Sequence, residues 1–403
     1  MSLIKEIHAK SIQASNGRAT ISVSIITDEG IETVYKVPTE KKVSIYGAVE
    51  LRDPDDGVTS AVDMIRDVLA PGIIGMDIED QSAIDEKIVE IDGTDTFSKI
   101  GSNTAIGISM AVFKASSLSR GLEHYEYARE LADIKPSQET PNLLINMIDG
   151  GRNAEDGVMF EEHMIMPEAI SAERSYHIAR VIKSSLEELI FNTSSRVEVG
   201  EGMGGGFIFP ISSPEEAFEF LKDAIHRAGV DEEVRIICGS RASALYVDGM
   251  YEVDSRKITK NELLDIYRDL SREQSVWGFE DPFIEDEYIA PRELKESLRD
   301  SFLISNDSTS SDIARIEGVV KNCSYDALVI KPEQAGTVSM TLQAIKKARE
   351  YGLEVILSSM TEETDEDVIA DLAYAFGCFG LKAGGVDMPE SVAKYKRLIE
   401  ISG

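Results

Sequence analysis

The first third of the chain changes from a strand-like to a helix-like pattern of apolar positions. Residues 19–37 alternate apolar and polar side chains, are rich in β-branched residues and contain a turn-like Asp-Glu-Gly at 28–30, a pattern that predicts a β-hairpin. Apolar residues then recur at helical spacing, and we expect this helix to end at Pro71. Further helices are predicted at 79–91 and 101–119. The pattern therefore predicts a small α+β domain.

The remaining chain alternates short apolar runs with amphipathic helices. The strand-like runs lie at 234–238, 302–305, 327–330 and 354–357, and helices are predicted at 214–228 and 338–351. Repeated βα units predict a (β/α) barrel, in which functional residues follow the strands. The polar segment 132–141, which contains two prolines, is the predicted linker. We therefore expect an α+β domain at 1–132 and a barrel domain at 133–403.

Composition and charge exclude several classes of function. Lys and Arg total 41 against 73 Asp and Glu, a net charge of −32, so we expect no nucleic-acid or membrane partner. Cys238, Cys323 and Cys378 are far apart in the sequence, which argues against a disulfide framework and a thiolate metal site. No signal-peptide pattern or long uncharged run is visible, and we expect a cytoplasmic protein.

Several sequence blocks, in order, resemble those of the enolase family. They lie at 45–53, 80–94, 101–103, 146–154, 161–165, 280–283, 331–337, 364–372 and 381–384. On these blocks the chain is identified as a divergent, archaeal-type member of the enolase (phosphopyruvate hydratase) family. The resemblance implies an α/β fold, an enolase-type (β/α)8 barrel with an N-terminal α+β domain, and a homodimer or another homo-oligomer.

The resemblance also implies a chemistry, and part of the catalytic machinery is retained. Enolases are glycolytic lyases that interconvert 2-phosphoglycerate and phosphoenolpyruvate, and their superfamily uses a Lys or His base with one or two Mg²⁺ ions that stabilise an ene-diolate. Lys331, Lys382 and Glu162 match catalytic positions of the family. Two lysines that face one cavity are expected to lower each other's pKa, as a proton-abstracting amine requires.

The metal-binding positions that the resemblance implies are altered in this chain. Of the three carboxylates that would hold the metal, only Glu280 is retained, and the other two positions fall on Gly239 and Asn306. Asn306 is a neutral and weak oxygen ligand. Asp307 is expected to point elsewhere because side chains alternate at a strand end. Any Mg²⁺ cofactor is therefore expected to bind weakly.

The acid and the phosphate contacts implied by the resemblance are altered as well. The family's acid falls on Gly204, inside the glycine-rich stretch 202–206, which no basic residue follows as a phosphate cradle would require. The phosphate-binding Ser-His-Arg-Ser reads Ser358-Ser359-Met360-Thr361, and the family's mobile loop, 39–44, lacks its hinge glycines. The remaining substrate-binding candidates are Glu161, Asn153 and Ser359.

Two functions are compatible with these observations. The combined changes predict an enolase-family pseudoenzyme or a repurposed protein, with a small carboxylate or a phosphorylated metabolite as its ligand. The alternative is an active phosphopyruvate hydratase with an unusual site. In that case a rearranged loop would bring Glu201, Asp307 or Arg152 into the place of the lost groups.

Overall fold

An antiparallel sheet and a layer of helices form the N-terminal part of the protein. The computed structural model describes residues 2–41, 44–133, 139–151, 158–193, 199–211, 213–253, 256–322 and 324–403. The sheet has the order β1 (Ile4–Gln13), β2 (Ala19–Thr27) and β3 (Glu32–Lys36). Strands β2 and β3 form the predicted hairpin. Strand β1 pairs antiparallel with β2 and was not predicted from the sequence pattern.

The helices of this part pack against the sheet. They are α1 (Thr59–Met64), a π-helical turn (Ile65–Leu69), α2 (Ala70–Ile73), α3 (Gln81–Asp92), α4 (Ser102–Ser119) and α5 (His124–Ala132). Pro71 does not end the first helical run as predicted, because it lies in the first turn of α2, where a missing N–H is tolerated. Small residues let α4 approach the sheet closely: a Cβ added to Gly107 would meet Val23 Cγ2 at 2.7 Å.

Eight strands close into a barrel. They are β4 (Asn142–Asp149), β5 (Glu162–Pro167), β8 (Val234–Gly239), β12 (Val276–Glu280), β13 (Phe302–Ser305), β14 (Ala327–Ile330), β15 (Glu354–Ser358) and β16 (Gly380–Lys382). This is also their order around the barrel, and β16 pairs with β4 to close it. The four strands predicted from apolar runs are all present, and the expected fold class is confirmed.

One barrel strand is reversed, which positions two acidic residues. Strand β5 runs antiparallel to both β4 and β8, whereas the other neighbouring barrel strands are parallel. Glu162, the first residue of β5, is in register with Asp149 at the end of β4 and with Gly239 at the end of β8. The start of β5 therefore lies at the carboxyl end of the barrel, where functional residues of such barrels lie.

The other elements surround the barrel. The helices are α6 (Ala172–Thr193), α7 (Pro214–Ala228), α8 (Lys260–Glu273), α9 (Ala290–Ser297), α10 (Ile313–Asn322), α11 (Pro332–Ala335), α12 (Val338–Glu350), α13 (Val368–Ala375) and α14 (Pro389–Ser402). Strands β6 (Gly200–Glu201) and β7 (Phe207–Ile208) form a hairpin that joins the barrel sheet where β7 pairs with β4. A separate short sheet is formed by β9 (Tyr246–Val247), β10 (Met250–Val253) and β11 (Arg256–Ile258). Short 3₁₀ helices lie at Asp231–Glu233 and Ala242–Leu245.

The N-terminal part is docked on the carboxyl end of the barrel. Thr39 forms an antiparallel bridge with Glu362, and the Tyr35 hydroxyl donates a hydrogen bond to Glu333 over 2.9 Å. These contacts place the segment after β3 above the barrel strands. The predicted linker 132–141 lies between α5 and β4, and its residues 134–138 are outside the described part of the chain. Among the described helices, none has the length and apolar character needed to cross a bilayer.

Candidate active site

A cavity lined by charged side chains lies at the carboxyl end of the barrel strands, with an empty volume of about 990 Å³ that includes space open to solvent. Acidic side chains outnumber basic ones among the described residues that line it. The acids are Glu40, Asp149, Glu161, Glu162, Glu280, Asp281, Asp307 and Glu363, and the bases are Arg241, Lys331 and Lys382. Such a concentration of carboxylates has to be stabilised by cations, by protons or by hydrogen bonds.

Lys382 lies between two carboxylates at the end of β16. Its Nζ is 2.5 Å from Glu162 Oε2 and 2.8 and 3.0 Å from the two carboxylate oxygens of Glu280. Burial alone would lower the pKa of Lys382, but the two carboxylates outweigh this effect and raise it above its ordinary value. Three predicted site residues, from strands β16, β5 and β12, are thus brought into direct contact.

Lys331 follows β14 and pairs with a residue from the other part of the chain. Its Nζ donates to Glu40 Oε2 over 3.2 Å. Burial lowers the pKa of Lys331, but Glu40 and then Asp307 have the larger combined effect and raise it, while Lys382 only partly opposes them. Lys382 thus lowers the pKa of Lys331 as expected, but the carboxylates have the larger effect, so the expectation that the two lysines have lowered pKa values is wrong.

Arg241 is a site residue that sequence reasoning missed. Its Nη1 lies 2.9 and 3.1 Å from the Glu161 oxygens, while Nη2 is 3.7 Å from Glu40 and Nε is 3.6 Å from Asp307. A left-handed backbone conformation, with φ of 41°, turns this residue toward the cavity just after β8. One guanidinium therefore joins carboxylates from three separate segments. The sequence feature that could have identified Arg241 is its position two residues after the end of β8, where functional residues of such barrels lie.

The residues present do not fit a magnesium site at the position that the family uses. Glu280 already contacts Lys382, and it accepts a hydrogen bond of 2.9 Å from Asn306 Nδ2. A Cβ added at Gly239 would lie 2.9 Å from Glu162 Cβ. Glu162 therefore occupies the space where the side chain of the missing metal ligand would begin. Among the described residues, no group of three His, Cys, Asp or Glu side chains is arranged to hold a metal ion. Mg²⁺ requires near-octahedral oxygen ligands.

Asp307 lines the cavity, contrary to the expectation that it points elsewhere. The buried carboxylate of Asp281 accepts the backbone N–H groups of Asn306 and Asp307, each over 2.9 Å. These two bonds hold a turn directly after β13, so the strand alternation assumed in the prediction ends at Ser305. Burial raises the pKa of Asp307 above its usual range, with Arg241 opposing this shift.

The region of the expected acid has a different carboxylate. Glu201 pairs with Lys183 over 2.8 Å, is about half exposed (53%) and does not line the cavity. Asp149, at the end of β4, does line it, and its oxygens accept hydrogen bonds from Asn146 Nδ2 (2.8 Å) and the Gly206 N–H (2.9 Å). Burial, followed by repulsion from Glu162, raises the pKa of Asp149 to about 7.

The predicted substrate contacts are divided between the cavity and other positions. Glu161 and Ser359 line the cavity, and Met360 beside them is an apolar residue without charge to offer an anion. Asn153 and Arg152 lie outside the described residues. Of the altered mobile loop, Glu40 reaches the cavity, and Ser44 donates from Oγ to the Asp307 carbonyl over 3.0 Å. Glu40 was not predicted because it is an ordinary acid in a polar loop.

Fold and site together define a barrel protein with a capping N-terminal α+β domain and a lysine–carboxylate site at the carboxyl ends of its strands. Comparison with known families gives the same result over nearly the whole chain. Residues 4–128 match the enolase N-terminal domain, and residues 138–403 match the enolase C-terminal TIM barrel domain. The chain belongs to the enolase family.

Individual relatives extend along the full length of the chain. It is 33% identical to the enolase of Methanothrix thermoacetophila, covering 99% of this chain and 95% of the relative. The enolase of Natranaerobius thermophilus is 32% identical, with 100% and 95% covered, and enolase B of Dictyostelium discoideum is 31% identical, with 99% and 94% covered.

Proposed function

We propose that this chain is an enolase-family protein that does not interconvert 2-phosphoglycerate and phosphoenolpyruvate, and whose barrel site holds a small ligand without a divalent metal ion. The observation that carries this proposal is the pairing of the cavity carboxylates with cations of the chain itself. Glu280, the one retained metal position, contacts Lys382, and Glu161 contacts Arg241.

The family's reaction needs positive charge that this site does not provide. A proton beside a carboxylate is so weakly acidic that the family's dianionic intermediate needs divalent metal for its stabilisation. With glycine at 239 and the neutral Asn306 at the third position, the hard anionic oxygens that would hold this metal are missing. The retained lysines alone do not supply that charge, because both are already paired with carboxylates.

The family's substrate needs cations that are already paired in this site. A phosphorylated carboxylate is a trianion and is normally bound by arginine forks and metal ions. The segment Ser358-Ser359-Met360-Thr361 contains no cation, and Lys331, Lys382 and Arg241 each contact an acidic partner. The cavity is therefore better suited to a small carboxylate without phosphate, whose single charge could exchange with one of these internal ion pairs.

The alternative is an active enolase with an unusual site, and the names and full-length identity of the relatives favour it. In that case Asp307, which lines the cavity, would have to leave Arg241 and take up metal. Because Glu201 pairs with Lys183 outside the cavity, it would need a rearranged loop to take part.

One assay separates the two functions. The purified protein is incubated with 2-phosphoglycerate and Mg²⁺, and the absorbance of phosphoenolpyruvate is followed, with the Methanothrix thermoacetophila relative as the matched control. We expect no turnover and no rise in Tm with Mg²⁺ and 2-phosphoglycerate, since a ligand stabilises only a native state that binds it. Turnover with a kcat of about 1 s⁻¹ or more, within the usual enzyme range, would show that the proposal is wrong.

A further inference from the structure

The glycine-rich turn 202–206 is shaped around one carboxyl group. The turn connects β6 and β7, and Gly202 N–H and Gly205 N–H donate to the carbonyls of Gly206 and Gly202 over 2.9 and 3.0 Å. Strand β7 pairs with β4 through Phe207 and Ile148, so the turn lies against the end of β4. Asp149 is the residue at that end.

Side chains on this turn are excluded by Asp149 itself. A Cβ added at Gly202 would lie 2.3 Å from Asp149 Oδ2, and one at Gly204 would lie 2.7 Å from Asp149 Oδ1 and 2.6 Å from Asn146 Nδ2. At Gly206 an added Cβ would meet the Asp149 backbone nitrogen at 2.7 Å. Real Cβ atoms do not approach other atoms so closely. Glycine is therefore needed at 202 and 204 because the Asp149 carboxyl occupies the space, and at 206 because the backbone of β4 does.

We propose that Asp149 supplies, from the end of β4, the acid group that this site lacks at Gly204. The inference deepens the proposed function and rests on it for the ligand being a small one without metal. The Asp149 carboxyl occupies space that the Cβ of a side chain at position 204 would need. It lines the same cavity as Lys331 and Lys382. Hydrogen bonds from Asn146 Nδ2 and the Gly206 N–H hold it in place. In its protonated form it donates a hydrogen bond to an uncharged ligand oxygen, such as a hydroxyl or carbonyl.

Burial of Asp149, and then the charged groups around it, favour this protonated form. Glu162 faces it directly across the β4–β5 pair, and Glu161 adds further negative charge. Lys183 reaches the turn at the Gly205 carbonyl, over 3.2 Å, and its charge is paired with the carboxylates of Glu201 (2.8 Å) and Asp387 (3.3 Å). A buried acid beside like charges holds its proton to a higher pH, and this is the property of a general acid at neutral pH.

The first test is a double-mutant cycle on stability. Gly202→Ala should lower Tm by several degrees, because the three atoms nearest to its Cβ all belong to the Asp149 side chain, at 2.3–2.5 Å. The same substitution should cost much less in the Asp149→Gly background. Gly318→Ala, at a helix position with open space around it, is the matched control and should leave Tm unchanged or slightly raised, since Ala favours a helix over Gly. Additive effects of the Asp149 and Gly202 substitutions would show that the Asp149 carboxyl does not occupy the space beside this turn, and would overturn the proposal.

The second test needs no ligand and detects the proton. Infrared spectra of protein labelled with ¹³C at aspartate carboxyls should contain a protonated-carboxyl band that titrates near pH 7, is lost in Asp149→Asn and is kept in the exposed control Asp63→Asn. Labelling aspartate alone separates this band from Glu333, a buried acid whose pKa is also raised to about 7. A spectrum that Asp149→Asn leaves unchanged would overturn the proposal.

Failure of the proposed function can be distinguished from failure of this inference. If the chain did turn over 2-phosphoglycerate, the first proposal would be lost, and Asp149→Asn would then be expected to lower kcat about 100-fold or more with a smaller change in KM. Turnover that survived this substitution would overturn the role of Asp149 independently.

Discussion

Arg241 holds together carboxylates that otherwise repel one another, and its replacement by alanine tests this directly. The guanidinium contacts Glu161, Glu40 and Asp307 at 2.9, 3.7 and 3.6 Å. At an effective dielectric constant of about 20, each contact corresponds to roughly 4–6 kcal/mol of gross attraction. Because the cost of burying the charges offsets most of this, we expect Arg241→Ala to lower the free energy of unfolding by about 3–5 kcal/mol.

The loss should be partly reversed by a divalent cation. Without Arg241, Glu161 and Asp307 lose their contacting cation, and among the described residues Glu40 keeps only Lys331, at 3.2 Å. Carboxylates with too little positive charge around them supply the hard oxygen ligands that Mg²⁺ or Ca²⁺ binds. A metal present at 100 times its dissociation constant would restore about 2.7 kcal/mol. We therefore expect Mg²⁺ to stabilise Arg241→Ala and to leave the wild-type protein unaffected.

The assay is urea denaturation with and without Mg²⁺. Arg174→Ala is the matched control, because Arg174 pairs with Glu233 at 3.3 Å on the surface, with 45% and 42% of the two side chains exposed, and should cost less than about 1 kcal/mol. If Arg241→Ala were as stable as this control, or if Mg²⁺ stabilised the wild-type protein as much as the variant, the reasoning about the resident cation would be refuted.

Two further predictions concern the lysine and the acid of the cavity. Lys382→Ala leaves Glu162 without its buried partner and should lower the free energy of unfolding, measured in urea, by about 3–5 kcal/mol. The surface control Lys87→Ala should lower it by less than about 1 kcal/mol. Equal losses in the two variants would contradict the pairing. Asp149 has an ordinary unfolded-state pKa of about 3.9 and a folded-state pKa of about 7, so the folded chain binds an extra proton between these values. Its contribution to the free energy of unfolding should fall by about 3 kcal/mol as the pH rises from 4 to 7. The free energies of unfolding of wild type and Asp149→Asn, measured across that range, should differ by this slope. Parallel pH profiles would argue against a raised pKa.

The sequence by itself determined the architecture and four polar members of the site. Apolar runs such as 327–330 and 354–357 predicted barrel strands because burial on both faces leaves a continuous apolar segment. Once the barrel is known, residues that follow its strands must converge at one end. Lys331, Lys382 and Glu280 could therefore be expected to lie together. Glu162, the first residue of the reversed strand β5, was added to them by the family resemblance, and all four line one cavity.

Only the tertiary structure decided which charges neutralise one another. Glu40 comes from the N-terminal part of the chain and Arg241 from a left-handed turn after β8, and no periodic pattern connects two positions 201 residues apart that meet at 3.7 Å. The same holds for Asp149, whose carboxyl fills the space that the glycines at 202 and 204 leave open. Periodicity reports which face of an element is buried, whereas a pKa depends on the distances between charges in three dimensions. The lysines therefore have raised pKa values although their sequence positions predicted lowered ones.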